Sequence, residues 1–448
     1  MSGRHFLPLT EEERREMLQE IGVSAVDDLF QDIPREVILE KPLELAPALS
    51  EREALKHLEA LASKNRNTWE CASFLGGGIY DHFIPSIVKH VTGRSEFYTA
   101  YTPYQAEISQ GMLQAIFEYQ TLICQLTGMD LANASLYDGA TAVAEGALMA
   151  CSVTRRGKVL VSRSVSPFSR EVLRTYFAPR GIELVEIPLH EGKTDLEQAE
   201  AHLGRDTAAL VLQTPNFFGL LEEMEQAAEL AHGQGALLVA AVDPISLPLV
   251  QAPAEYGADI AVGEGQGLGT PPSFGGPLLG FLSAREQYLR NIPGRIVGET
   301  ADTGGNRGFV LTLQTREQHI RRERATSNIC TNEALIALAA AVHMAALGPQ
   351  GMYRVAEACL KKAYYAREQM ASQGFEIPFG GVYFKEFPVK LPWEVSRLNQ
   401  KLMEKNIFGG LDLGRYYPEL ENTALFCVTE NRTRAEIDAL VKEMGDLK

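Results

Sequence analysis

Between residues 158 and 284 the chain alternates short apolar runs with helical patterns, and few folds accept that rhythm. The runs are Val159–Val161, Ile182–Ile187, Ala208–Leu212, Leu237–Val242, Ile260–Val262 and Leu278–Leu282. Between them lie helical patterns at Pro167–Tyr176, Asp195–Leu203, with Thr194 and Glu197 as its capping box, and Glu222–His232. A parallel strand buried on both faces shows no polar alternation, so such runs predict a mostly parallel sheet covered by helices on both sides. Ligands bind such sheets at the carboxyl ends of the strands. Thr214–Gly219, Asp243 and the loop 263–277 are expected to converge there.

The stretch from 237 to 277 carries the chemistry. An apolar run delivers Asp243, a second short strand follows at Asp259–Val262, and a glycine- and proline-rich loop ends in Gly275, Gly276 and Pro277. That is the layout of a pyridoxal phosphate enzyme, in which the aspartate meets the pyridinium nitrogen and a lysine in the loop forms the imine. Here the loop has no lysine, and none occurs between Lys193 and Lys361. Asp243 is then a relic, a structural strand-end carboxylate or part of an empty pocket, and a structural or vestigial role is favoured.

Residues 1–65 contain two capping boxes, Thr10 with Glu13 and Ser50 with Glu53, joined by proline-rich extended pieces. Leu55, Leu58 and Leu61 form one apolar face, yet no core closes in so short a length. This arm is expected to wrap another part of the protein or a partner. From 73 to 111 glycines, prolines and polar aromatics crowd without period, and Thr102, Tyr104, Gln105 and Glu107 offer polar tips within one turn, as a site wall does. An amphipathic helix through Ile108, Met112, Ile116, Tyr119, Ile123 and Leu126 ends at Gly128. A helix of small residues follows through Met149, capped by Asp138 or Ser135, and its N-terminus is able to receive a phosphate.

Residues 294–331 form a long excursion holding Arg316, Arg321, Arg322 and Arg324, a cluster suited to an anionic ligand, an acidic partner or structural ion pairs. Helices at Thr331–Leu347 and Gly351–Met370 then lead into a small α/β unit. It has strands near Val382–Val389 and Ala424–Thr429, a helix at Glu394–Lys405 and a last helix capped by Thr433 and Glu436. The expected division is an arm at 1–65, a large domain at 66–331 and a small domain at 332–448.

Bulk composition narrows the function. With 45% apolar and 22% charged residues in 448, the chain has the make-up of an ordinary globular protein. A net charge of −16 argues against a nucleic-acid binder. Six scattered cysteines without a C-x-x-C pair read as reduced thiols, with no metal site expected. The N-terminus lacks an apolar targeting segment, and the apolar helix Ala334–Leu347 is too short to span a bilayer, so a cytoplasmic protein without membrane attachment is expected.

Several longer strings are specific. They are YTPYQ at 101–105 with Glu107 and SQG at 109–111, NAS at 133–135, and Arg321–Arg322 leading into ATSNICT at 325–331. They resemble the P-protein of the glycine cleavage system in its split bacterial form, over essentially the whole chain, which is similar to the first of the two subunits. The resemblance implies the aminotransferase-like fold type I of pyridoxal phosphate-dependent transferases, α/β with a mainly parallel sheet and a smaller C-terminal domain. It implies an α2β2 assembly with subunit 2, whose lysine carries the cofactor in a loop also ending Gly-Gly-Pro. Counting back from Gly275-Gly276-Pro277 places Gln266 in the lysine slot.

The implied reaction is decarboxylation of glycine, with the aminomethyl group passing to the lipoyl arm of the H-protein. This chain would complete the partner's site across the interface. Tyr101, Thr102, Tyr104 and Gln105 would lie near the substrate, and Thr326, Ser327, Asn328, Gly275 and Gly276 near the cofactor phosphate. The rival expectation is a purely structural or regulatory partner that touches no chemistry.

Overall fold

The computed structural model describes residues 9–39, 41–100, 102–325, 327, 329 and 331–448. The chain divides into two compact units, Met1–Arg66 and Asn67–Lys448. In the first, helices Glu11–Ile21 and Ser50-capped Glu51–Ala62 both begin with the expected reciprocal capping boxes. None of its described residues is buried.

The second unit is built on a seven-stranded sheet. Its spatial order is Leu131–Ala132, Gly280–Ala284, Ile260–Glu264, Leu237–Val242, Thr207–Thr214, Lys158–Ser162 and Glu183–Ile187. The five strands from Ile260–Glu264 to Glu183–Ile187 pair in parallel, and Gly280–Ala284 runs antiparallel to both neighbours. All six residues of Leu237–Val242 are buried, as a central strand sandwiched by helices must be. One face packs on Tyr119 and Ile123 of helix Gln110–Thr127 and on Ala227 and Ala231 of helix Met224–Gly233. The other packs on Ala147 and Ala150 of helix Gly139–Thr154 and on Leu173 and Phe177 of helix Pro167–Phe177.

The C-terminal layer has its own core around Phe387, Leu398, Phe426 and Leu440. Its three-stranded sheet, Glu386–Lys390, Thr423–Cys427 and Leu411–Asp412, is antiparallel throughout, not the repeated βα unit its sequence suggested. The two helices expected at 331–370 are present within Ala334–Ser372, separated by a break at Gly348, where φ is 61° and ψ 179°. Ile108 lies before helix Gln110–Thr127 and is exposed. Thr194 caps nothing: Asp195 accepts the Gln198 amide at 3.0 Å, while the Thr194 hydroxyl turns inward to Ser162 at 2.8 Å. The excursion after 294 contains an unforeseen hairpin, Ile296–Ala301 with Arg307–Thr312. The Gln120 side chain reads the Val297 backbone with both ends of its amide, at 2.9 and 3.0 Å, and so anchors this hairpin to the helix.

Candidate functional site: a charged pocket at the sheet edge and a polar wall

The parallel strands deliver Asp243, Gly263 and Glu264 to one cavity of 310 Å³, closed by Gly77, Tyr80, Asp138, Gly139, Ser169 and Phe168 among others. The partner of its Asp243 comes from the C-terminal layer. Lys385, only 2% exposed, places Nζ 2.7 Å from Asp243 Oδ2. The same ammonium is 2.9 Å from His82 Nε2 and 3.4 Å from the Tyr80 ring centroid. An ammonium only donates, so His82 Nε2 must accept, and the imidazole proton sits on Nδ1. That Nδ1–H donates to Glu430 Oε2 at 2.8 Å, and the Cys359 thiol donates to the same oxygen at 3.1 Å.

These distances settle the character of the His82, Cys359 and Glu430 group, whose ligand atoms lie within 4.8 Å of one another. With Lys385 on one ring nitrogen and a proton on the other, His82 has no lone pair free for a metal. The group is a hydrogen-bonded relay from Asp243 to the helix Ala334–Ser372. Its electrostatics are consistent with that. Burial opposes the charge of Lys385, yet Asp243 holds its pKa above the ordinary lysine value. Burial likewise opposes Glu430, but the hydrogen bonds from His82 and the Phe83 amide hold its pKa below the ordinary carboxylate value.

Two further carboxylates lie here, Glu386 buried and Glu264 half-buried. Glu386 accepts the Gly77 amide at 2.6 Å and the Tyr80 hydroxyl at 2.8 Å, and burial pushes its pKa up to about 7. Glu264 accepts three amides, Gly139 and Leu279 at 2.8 Å and Gln266 at 2.9 Å, while burial raises it to about 7. Gly139 opens the helix Gly139–Thr154, so a protein carboxylate already sits at that N-terminus. Asp138, not Ser135, is the cap, accepting the Thr141 amide at 2.7 Å.

A second polar cluster forms the wall that the sequence placed at 102–107. Thr102 receives the Ser109 hydroxyl on its carbonyl at 2.6 Å and the Tyr104 amide on its side chain at 3.3 Å. The Tyr104 hydroxyl donates to the Asn332 side chain, and the Arg295 guanidinium lies 4.4 Å from its ring centroid. Asn332 in turn donates to the Ala134 carbonyl at 3.0 Å and the Ser135 hydroxyl at 2.9 Å. Three separated strings, around 102–105, 133–135 and 331–332, therefore meet at one place. Ser135 is held at a φ of 133°, a conformation a non-glycine residue rarely adopts.

Residues 4–444 match the glycine cleavage system P-protein family. The chain belongs to that family. It is 56% identical over 440 residues to a probable glycine dehydrogenase (decarboxylating) subunit 1 of Moorella thermoacetica, covering 98% of each chain. It is 55% identical over 441 residues to the same-named protein of Desulforamulus reducens, covering 98% of this chain and 99% of that one. A crystal structure of an inhibitor-bound glycine decarboxylase (P-protein) superposes with a TM-score of 0.91 at 45% identity, over 99% of this chain and 100% of the other. A sphingosine-1-phosphate lyase from Burkholderia pseudomallei shares the fold at a TM-score of 0.67 and 14% identity, over 91% and 92% of the two chains. The architecture is that of the pyridoxal phosphate-dependent fold type I enzymes.

In the pocket around Asp243 the groups that a cofactor would use are engaged by other side chains of this P-protein chain. Gln266, the residue expected at the lysine position, is fully buried, its amide bonded to both the N–H and the carbonyl of Tyr80, at 2.9 and 3.0 Å, and to the Thr270 carbonyl at 2.5 Å. Asp243 is in a salt bridge, and the helix N-terminus is taken. Gly275 is exposed, Gly276 is half-buried, and they flank no cavity wall of this pocket. Gln105 is exposed on the wall, and the Ser327 hydroxyl accepts the Ile329 amide at 3.1 Å. Tyr101, Thr326 and Asn328 lie outside the described residues.

The arginine cluster separates. Arg316 is buried and donates to the carbonyls of Ile292, Gly294 and Leu313, whereas Arg321, Arg322 and Arg324 are exposed. Sequence reasoning missed Lys385, Tyr80, His82, Glu386 and Glu430. A signal was present: Lys385 and Glu386 are adjacent charges at the head of an apolar strand, where burial demands partners.

Proposed function

We propose that this chain is the subunit of a split glycine decarboxylase that leaves cofactor binding to its partner and completes the partner's site from across an interface. Gln266 in the lysine slot carries this reading, because a carboxamide forms no imine and the buried lysine nearby is held as an ammonium. Held on subunit 2, pyridoxal phosphate would supply the electron sink for loss of carbon dioxide from glycine. The aminomethyl group would then pass to the lipoyl arm of the H-protein. An α2β2 assembly in the cytoplasm is part of this proposal; a partner subunit accords with the subunit name of the relatives and with the exposed apolar side chains of the N-terminal unit.

The contribution of this chain is positioning. Tyr104 keeps its proton, since burial raises its pKa to about 12, and it is oriented by Asn332 and Arg295 as a fixed donor. Thr102 and Gln105 extend the same wall, with Tyr101 beside them in sequence. Ser327, with Thr326 and Asn328, and the Gly275–Gly276 turn are proposed to donate toward the cofactor phosphate.

The test is glycine–bicarbonate exchange by the complex reconstituted from this chain and subunit 2. The isolated chain is expected to show no exchange, and Tyr104→Phe and Thr326→Ala are expected to lower exchange about tenfold or more with assembly intact. Variants that leave turnover and cofactor affinity at wild-type values would remove these residues from the site. Activity and assembly lost in parallel in every variant would favour a purely structural partner.

A further inference from the structure

The charges that a phosphorylated pyridine would seek in this pocket are already matched by the chain itself. A pyridinium needs the strand-end carboxylate, and Lys385 Nζ holds Asp243 Oδ2 at 2.7 Å. A phosphate needs helix N-terminal amides, and the Glu264 carboxylate holds the Gly139 amide at 2.8 Å, with Asp138 on Thr141 beside it. The aldehyde needs a lysine, and Gln266 spends its amide on Tyr80 and Thr270.

We propose that Lys385 and Glu264 are built-in replacements for the cofactor's two charges, and that with Gln266 they close this pocket to pyridoxal phosphate. Lys385 is not a mobile plug. It is fully engaged by Asp243, His82 and the Tyr80 face, and withdrawing it would leave a carboxylate inside the protein without a counter-ion. Glu264 and Asp138 put two carboxyl groups at the one helix end where a phosphate dianion would have to sit, and they already hold the Gly139 and Thr141 amides.

The same groups tie the fold together. Tyr80 and His82 lie on one loop, whose Asp81 is held by Arg432 at 2.7 Å and by the Thr429 hydroxyl at 2.7 Å. Lys385 thereby joins the sheet edge, this loop, the C-terminal sheet and, through His82 and Glu430, the long helix. A cofactor bridges comparable layers in an active pocket; here a positioning residue does so. Regaining a lysine at 266 is therefore not sufficient to regain the cofactor.

This inference stands on the fold and not on the division of labour proposed above, so exchange activity of the assembled complex leaves it untouched. It is tested with the full chain in its complex, incubated with pyridoxal phosphate and then borohydride, with position 266 read by peptide mass. Gln266→Lys alone is expected to label no more than surface lysines. Gln266→Lys with Lys385→Met and Glu264→Gln is expected to label at least about tenfold more, a change of about 1.4 kcal/mol. Full labelling of the single variant overturns the proposal, and so does a folded triple variant that stays unlabelled. Should the triple variant fail to fold, the charge pair is read directly by thermal midpoint. Lys385→Met is expected to lower it and the double variant Lys385→Met/Asp243→Asn to recover most of the loss; strictly additive losses overturn the role of Lys385.

Discussion

The pocket around Asp243 and the N-terminal unit stand at opposite extremes of burial. Behind the pocket wall, Lys385, Glu386 and Gln266 are removed from water, and each has a partner within hydrogen-bonding distance. In the N-terminal unit the reverse holds: Leu55, Leu58 and Leu61 form the expected apolar stripe on a well-capped helix and remain exposed. Charges without water and apolar surface without cover both cost free energy unless something compensates. Around the pocket the compensation is internal, because Lys385 and Asp243 neutralise each other. For the N-terminal unit, a partner subunit is proposed as the cover.

That contrast breaks most visibly at Lys385. Replacing it with methionine strands Asp243, and the chain is expected to lose about 3–5 kcal/mol in denaturant unfolding. A loss below about 1 kcal/mol would mean that the pocket is not internally compensated. Next comes Gly219→Ala. Gly219 has a φ of +85°, and a Cβ there would overlap the Glu386 carbonyl behind the pocket, so a loss of about 3 kcal/mol is expected by the same measurement.

Acid exposes a smaller effect. Burial depresses His343 to about 4 from 6.5, so the unfolded chain takes up its proton first and stability falls as pH drops from 6.5 through 4. Glu430, held below its ordinary 4.5, adds a further loss as pH falls below that value. Both His343 ring nitrogens are buried without a hydrogen-bond partner. His343→Leu should therefore flatten the upper part of the profile and stabilise the fold by about 1 kcal/mol. Unfolding midpoints across pH check both statements.

The smallest effect on stability is expected in the N-terminal unit. Leu55→Ser with Leu58→Ser is expected to change the stability of the chain by less than about 0.5 kcal/mol, since neither side chain is buried. Affinity for subunit 2, measured by sedimentation or calorimetry, is expected to fall about tenfold or more. A large loss of chain stability with unchanged affinity would reverse the roles of the two regions.

The parallel strands were legible because a strand buried on both faces leaves an apolar run, and Leu237–Val242 begins and ends where its composition does. Asp243 was legible because a carboxylate ending such a run must meet something. Helix caps at Thr10, Ser50 and Thr433 were legible because capping is local. The hairpin after Ile296 was not, since its pairing is stabilised by Gln120, far away in sequence. Nor was Lys385: a search for a lysine within the sheet finds none, and the residue that answers Asp243 lies well over a hundred positions downstream.

The sequence by itself determined the class of sheet, the absence of a lysine from the loop that should carry one, and the position of Gln266 in its place. These follow from runs and spacings that neighbours in the chain settle among themselves. Only the tertiary structure decided what Asp243 does. A buried charge is defined by the counter-ion that reaches it, and folding brings that counter-ion from another layer of the protein.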